Sequence, residues 1–133
     1  MFSSNQKVYF YDADPAGIIF FANLFKFAHV AFEDFIGNIH PGKEYFTVED
    51  SVIPVFHAEA NYFNPIKVGD ELRIDVSVSV LKTSSFEMNY KIYKNQDQLA
   101  AEAKIVHVCV DKKSFKKTEL PKDLYEKLKA NLI

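Results

Sequence analysis

Residues 24–36 carry apolar side chains at Leu24, Phe27, Ala28, Ala31, Phe32, Phe35 and Ile36, the i, i+3, i+4, i+7 spacing of one helix face. Phe25 and Val30 widen that face, while Lys26, Glu33 and Asp34 supply a polar side. A helix this rich in aromatic residues needs cover over most of its circumference. Most of the remaining chain alternates with a period of two, so the cover has to be a sheet. The pattern predicts one long buried helix over residues 23–36, lying in the concave face of an antiparallel sheet. Gly37-Asn38 reads as its stop signal.

The strands follow from the same alternation. Residues 7–11 predict a short first strand. Over residues 54–63, Phe56, Ala58, Ala60 and Tyr62 share one face, and His57, Glu59 and Asn61 share the other. Ile74, Val76, Val78 and Val80 alternate with Arg73, Asp75, Ser77 and Ser79; Phe86, Met88, Tyr90 and Ile92 alternate with Glu87, Asn89 and Lys91. Asn95-Gln96-Asp97-Gln98 reads as a hairpin tip, and residues 40–43 as a loop. The long run over 99–110 has a mixed period, which predicts a bulge or a change of exposed face. Pro121 predicts a terminal helix over 123–131. The class is α+β with five to six antiparallel strands, and 133 residues suit one domain over 1–133. Such a sheet leaves edges and an outer face to protect, so a homodimer or homotetramer is expected.

Composition narrows the partners. Sixteen basic and 18 acidic side chains give a net charge of -2, which argues against a protein built to bind nucleic-acid phosphates. The apolar region 16–32 contains Asn23, Lys26 and His29, so it reads as a buried helix and not a membrane span. Cys109 is the single cysteine, set in a β-rich run; a buried structural thiol and a cytoplasmic location fit it. His29, His40, His57 and His107 have no metal-ligand spacing, so no metal is expected, and His57 and His107 read as sheet residues. There is no Gly-rich phosphate loop and no nucleophile-elbow sequence. The run Lys112-Lys113-Ser114-Phe115-Lys116-Lys117 reads as a solvated loop.

The chemistry concentrates in Tyr11-Asp12-Ala13-Asp14-Pro15-Ala16-Gly17, a turn that the sequence runs directly into the apolar helix. This puts a carboxylate beside the unpaired N–H groups and positive dipole end of a helix start. A carboxylate attacks or activates water, and such N–H groups hold a developing oxyanion. Asp14 therefore reads either as a catalytic residue or as a cap and turn former; Asp12 reads as a turn former. Gly17 serves a left-handed turn, a close approach of substrate, or both.

This motif resembles that of the hotdog-fold acyl-CoA thioesterases of the 4-hydroxybenzoyl-CoA thioesterase-like family. Two further signatures support it: Tyr62-Phe63-Asn64-Pro65-Ile66-Lys67-Val68-Gly69-Asp70, and Lys82-Thr83-Ser84-Ser85-Phe86 followed by a hairpin and the ending at Asp111. The resemblance implies a long central helix wrapped by a curved sheet, and a homodimer or homotetramer with sites at the interface. It implies hydrolysis of an acyl-CoA thioester, with coenzyme A as part of the substrate and no separate cofactor. Asp14 matches the catalytic aspartate, and Phe21 the position whose backbone N–H polarises the thioester carbonyl. Gly17 and Asn23 would face substrate, and His29 would either touch the acyl group or be a plain helix-face histidine. Lys82, Ser84 and Ser85 would contact coenzyme A from a neighbouring subunit, or serve only their turn. Two positions depart from the family: Leu24 stands where Tyr is usual, and His29 stands where a helix carboxylate holds the phenol of 4-hydroxybenzoyl-CoA. The alternative function is a non-catalytic hotdog module that binds acyl-CoA or an aromatic ligand.

Overall fold

The computed structural model describes residues 1–40 and 50–133. In chain order it contains β1 (Phe2–Lys7), a 3₁₀ turn (Phe10–Asp12), α1 (Asn23–Ile39), β2 (Ser51–Val52), β3 (Val55–Tyr62), β4 (Glu71–Leu81), β5 (Ser85–Lys94), β6 (Gln98–Val108), β7 (Val110–Asp111) and α2 (Lys122–Ala130). Five strands form an antiparallel sheet in the order β1-β4-β5-β6-β3, within the expected number. β2 and β7 pair separately, each too short to show a period in the sequence. The chain divides into two compact units that cut across the strands: Met1–Phe35, Ala60–Val76 and Tyr90–Ala103 form the first, and Ile36–Glu59, Ser77–Asn89 and Lys104–Ile133 the second.

In the first unit, β1 runs antiparallel to β4, from Phe2 opposite Val76 to Lys7 opposite Glu71. The first strand thus lies at 2–7 and not at 7–11. Sheet bonding ends at Val8, whose N–H bonds the Asp70 carbonyl at 3.0 Å. The buried Asp12 carboxylate then accepts the Tyr9 N–H at 2.9 Å and draws the chain into the 3₁₀ turn. Tyr9, Phe10 and Tyr11 are all exposed, so their alternation has no buried face behind it. Leu24, Phe27, Ala28, Ala31, Phe32 and Phe35 of α1 are buried, as the helical spacing requires. β1 fastens this face: Gln6 donates to the Phe27 carbonyl at 3.0 Å, Ser4 to Asp34 at 2.6 Å, and Phe2 meets the Phe35 ring edge-on at 5.8 Å.

The β5–β6 hairpin turns through Asn95 (φ 51°) and Gln96 (φ 76°), the left-handed pair that a tight hairpin requires. On β6, Ala100 and Ala101 are both buried in succession, the change of phase expected in that run. Tyr90 is fully buried, and its hydroxyl has no hydrogen-bond partner among the described residues. Burial pushes its phenol far above the ordinary range. Tyr90→Phe removes this unpaired group at nearly constant volume. It is expected to raise stability by about 1 kcal/mol in urea unfolding, and a loss would mean the hydroxyl has a partner.

In the second unit, α1 continues through Gly37 to Ile39, past the stop expected at Gly37-Asn38. The His40 N–H still bonds the Ile36 carbonyl at 2.9 Å, so the helical ladder is unbroken there. Residues 41–43 of the expected loop lie outside the described residues. Val78, Phe86, Met88, Ile105 and Cys109 are buried, the last as the expected structural thiol. His107 is buried on β6 with its ring stacked on Phe86 at 5.1 Å. The turn at 82–85 closes through Lys82 N–H to the Ser85 carbonyl at 2.8 Å. Pro121 caps α2 from outside the helix and is not its first residue; Leu124 and Leu128 are the buried face. β3 differs from the other long strands: neither of its faces is buried, and Phe56 is 76% exposed.

Candidate active site

Asp12 to Asp14 and Ile18 to Phe20 form a small hairpin. The Asp14 N–H bonds the Ile18 carbonyl at 2.8 Å, and the Phe20 N–H bonds the Asp12 carbonyl at 3.1 Å. Gly17 closes it at φ 81°, with its N–H on the Asp14 carbonyl at 3.0 Å; a side chain there would strain the backbone. The half-buried Asp14 carboxylate accepts the Ala16 N–H through Oδ1 at 2.8 Å. Its Oδ2 has no partner among the described residues.

The turn does not run straight into the helix. Residues 18–22 intervene, because their backbone pairs with a neighbouring segment: Ile19 N–H bonds the Ile66 carbonyl at 2.8 Å, and Val68 N–H the Gly17 carbonyl at 3.3 Å. The carboxylate and the helix start are therefore joined through the return strand of the hairpin. At that start, Asn23 N–H bonds the Phe20 carbonyl at 2.8 Å and Leu24 N–H the Phe21 carbonyl at 3.3 Å. The N–H groups of Phe21 and Ala22 donate to no acceptor among the described residues. They stand at the positive end of the 17-residue α1.

Asn23 ties helix to hairpin, its side-chain amide donating to the Asp12 carbonyl at 2.7 Å. Asp12 is structural, as expected: its carboxylate holds the Tyr9 N–H and lies 2.7 Å from Lys26 Nζ. That hydrogen bond raises the Lys26 ammonium above its usual range.

An open cleft of about 350 Å³ lies beside the helix start, with Ile18, Ile19 and Phe21 on one side and Tyr62, Asn64 and Ile66 on the other. The Tyr62 hydroxyl donates to the Phe21 carbonyl at 2.5 Å. Asn64 donates to the Leu99 carbonyl at 2.8 Å, and the buried Lys94 donates to the Pro65 carbonyl and lies 3.8 Å from Asp70. These bonds hold the segment that forms the second side of the cleft. From sequence, Tyr62 and Asn64 stand out only as members of the signature over residues 62–70, with no role at the site, and Lys94 has none. Lys94 did carry a signal, since it continues the buried phase of Phe86, Met88, Tyr90 and Ile92.

The structure brings Phe21 into the cleft and bonds Asp14 directly to its Ile18. Gly17 and Asn23 belong to the same hairpin-and-helix junction. His29 stands on the exposed side of α1, 3.6 Å from Glu33, and does not line the cleft. Lys82, Ser84 and Ser85 lie in the second unit, where the Ser84 carbonyl accepts the Cys109 N–H at 2.8 Å. Among the described residues no group of His, Cys, Asp or Glu is placed to hold a metal, and no helix is long and apolar enough to cross a membrane.

Residues 8–128 match the thioesterase-like superfamily. The chain is 30% identical over 131 residues to the 1,4-dihydroxy-2-naphthoyl-CoA hydrolase of Crocosphaera subtropica, a similarity covering 96% of this chain and 95% of that protein. It is 33% identical over 132 residues to the enzyme of the same name from Nostoc punctiforme, covering 98% and 88%. In structure it is similar to a 1,4-dihydroxy-2-naphthoyl-CoA thioesterase from Synechocystis, with a TM-score of 0.88 at 28% identity over 96% of this chain and 94% of that one.

Proposed function

The chain belongs to the thioesterase-like superfamily, and from that premise we propose that Asp14 carries the hydrolysis of an aromatic acyl-CoA thioester, with the Phe21 N–H as oxyanion donor. The protein is a hotdog-fold acyl-CoA thioesterase. The observation that supports Asp14 is the hairpin bond from its N–H to Ile18. That bond ties a carboxylate whose Oδ2 has no partner among the described residues to the cleft-lining Ile18, on the hairpin that leads into a helix start whose Phe21 and Ala22 N–H groups have no acceptor among the described residues.

Asp14 acts in one of two ways. As a nucleophile, its oxygen bonds the thioester carbon, the C–S bond breaks, coenzyme A leaves as the thiolate, and water then cleaves the mixed anhydride. As a general base, it takes a proton from water, whose oxygen attacks the same carbon and expels the same thiolate. In both cases the carbonyl oxygen gains charge, and in this reading the Phe21 N–H receives it. No cofactor is required, since coenzyme A is substrate and leaving group.

The apolar and aromatic cleft suits a flat ring system, and the relatives are named for 1,4-dihydroxy-2-naphthoyl-CoA. We assign this chain a hydroxylated aromatic acyl-CoA of that kind. Gly17 and Asn23 shape the hairpin that meets it, and Lys82, Ser84 and Ser85 contact the coenzyme A moiety from a neighbouring subunit; His29, outside the cleft, is left without a role there. Thiol release measured across aryl, short-chain and long-chain acyl-CoAs tests this. Turnover is expected to be fastest on the hydroxynaphthoyl ester. Preference for an alkyl chain would refute the substrate, and saturable binding without any turnover would favour the non-catalytic module.

The same reading requires a second copy. β3 is an edge strand exposing both faces, with Val55, Phe56 and Tyr62 open to solvent. Light scattering at micromolar concentration is expected to give at least twice the 15.3 kDa of one chain. The monomer mass would contradict it.

A further inference from the structure

Tyr62 ends β3, and its hydroxyl reaches across 41 positions of sequence to the Phe21 carbonyl. That carbonyl belongs to the Phe21–Ala22 peptide. The same oxygen also accepts the Leu24 N–H, in a longer bond of 3.3 Å; in a trans peptide the N–H points opposite to the C=O, so the two bonds together, the Tyr62 bond the shorter, set the direction of the Ala22 N–H. The preceding peptide is held likewise: the Asn23 N–H bonds the Phe20 carbonyl, which sets the Phe21 N–H. Two successive N–H groups without acceptors among the described residues are thus each fixed through the carbonyl of their own peptide. A hydrogen bond at a carbonyl also polarises the amide, strengthening its N–H as a donor. Partial burial raises the Tyr62 phenol above its ordinary range.

We propose that Tyr62 is a positioning residue for thioester hydrolysis: its hydroxyl holds the Phe21–Ala22 peptide so that the Ala22 N–H joins that of Phe21 in receiving charge on the thioester oxygen. This rests on the assignment of the helix start as the oxyanion site. The donor matters more in the transition state than in the ground state, so its loss falls on kcat and spares KM.

Tyr62→Phe removes only the hydroxyl, from a side chain that is 46% exposed, and folding is expected to be unchanged by circular dichroism. We expect kcat to fall about tenfold with KM within about twofold. A spectroscopic readout separates positioning from a general structural effect. In an Asp14→Asn background the bound, carbon-13-labelled thioester carbonyl is read by infrared difference spectroscopy. Adding Tyr62→Phe is expected to move its band toward that of the free substrate. Unchanged kcat, a loss confined to KM, or an unmoved band in the double variant would each overturn the role of Tyr62. Failure of the underlying reading looks different: Asp14→Asn would then keep its turnover. An inactive Asp14→Asn beside a fully active Tyr62→Phe removes the Tyr62 role alone.

Discussion

Asp14→Asn is expected to lower kcat by about a hundredfold or more while leaving the fold and acyl-CoA binding intact. The substitution keeps the size of the side chain and an oxygen to accept the Ala16 N–H, so the hairpin closed by Gly17 retains its bonds. What it removes is the charge and nucleophilicity of the carboxylate. Steady-state thiol release and circular dichroism on the same preparation check both halves. Near-normal turnover on a true substrate would reduce Asp14 to a turn residue. Asp12→Asn provides the contrast. Asp12 is buried, holds the Tyr9 N–H and pairs with Lys26, so its substitution acts on the stability of the 3₁₀ turn more than on chemistry. Single turnover in oxygen-18 water separates the two roles of Asp14. Label entering the aspartate supports the anhydride, and label only in the product acid on the first turnover supports general base catalysis.

Phe35→Ala is expected to cost about 3–5 kcal/mol of folding stability, the range for emptying a buried phenylalanine site. Phe35 is 1% exposed and meets the Phe2 ring edge-on, so the cavity opens where α1 meets β1. A loss of that size is a large part of the roughly 5–15 kcal/mol that stabilises an ordinary domain. Urea unfolding gives the number directly. A loss below about 1 kcal/mol would show that neighbouring side chains close over the site.

The sequence was most legible where one period ran unbroken. The buried residues of α1, the inward face of β5 and that of β4 as far as Val78 follow from spacing, because burial on one side imposes a regular repeat on a helix or strand; past Val78 the β4 repeat gives way, and Val80 is exposed. It was least legible where backbone bonds to distant segments decided the outcome. Alternation over residues 7–11 looked like a strand, yet the Asp12 carboxylate turns that segment out of the sheet. Gly37 looked like a stop, yet the helix passes through it, since a glycine ends a helix only when the chain leaves the helical conformation there.

The candidate site divides in the same way. Asp14 and Gly17 fall inside the local Asp-x-Asp-Pro-x-Gly pattern, which shows them without a structure, while Phe21, four residues past Gly17, follows only from the family resemblance. Tyr62, Asn64 and Lys94 come from strands and a connection far along the chain, and their hydrogen bonds to Phe21, Leu99 and Pro65 carry no local pattern. Short-range chemistry is written in sequence spacing because neighbours along the chain are already neighbours in space. The second side of the cleft, and the hold of Tyr62 on the helix start, exist only once folding has brought residues 62–66 against residues 18–21.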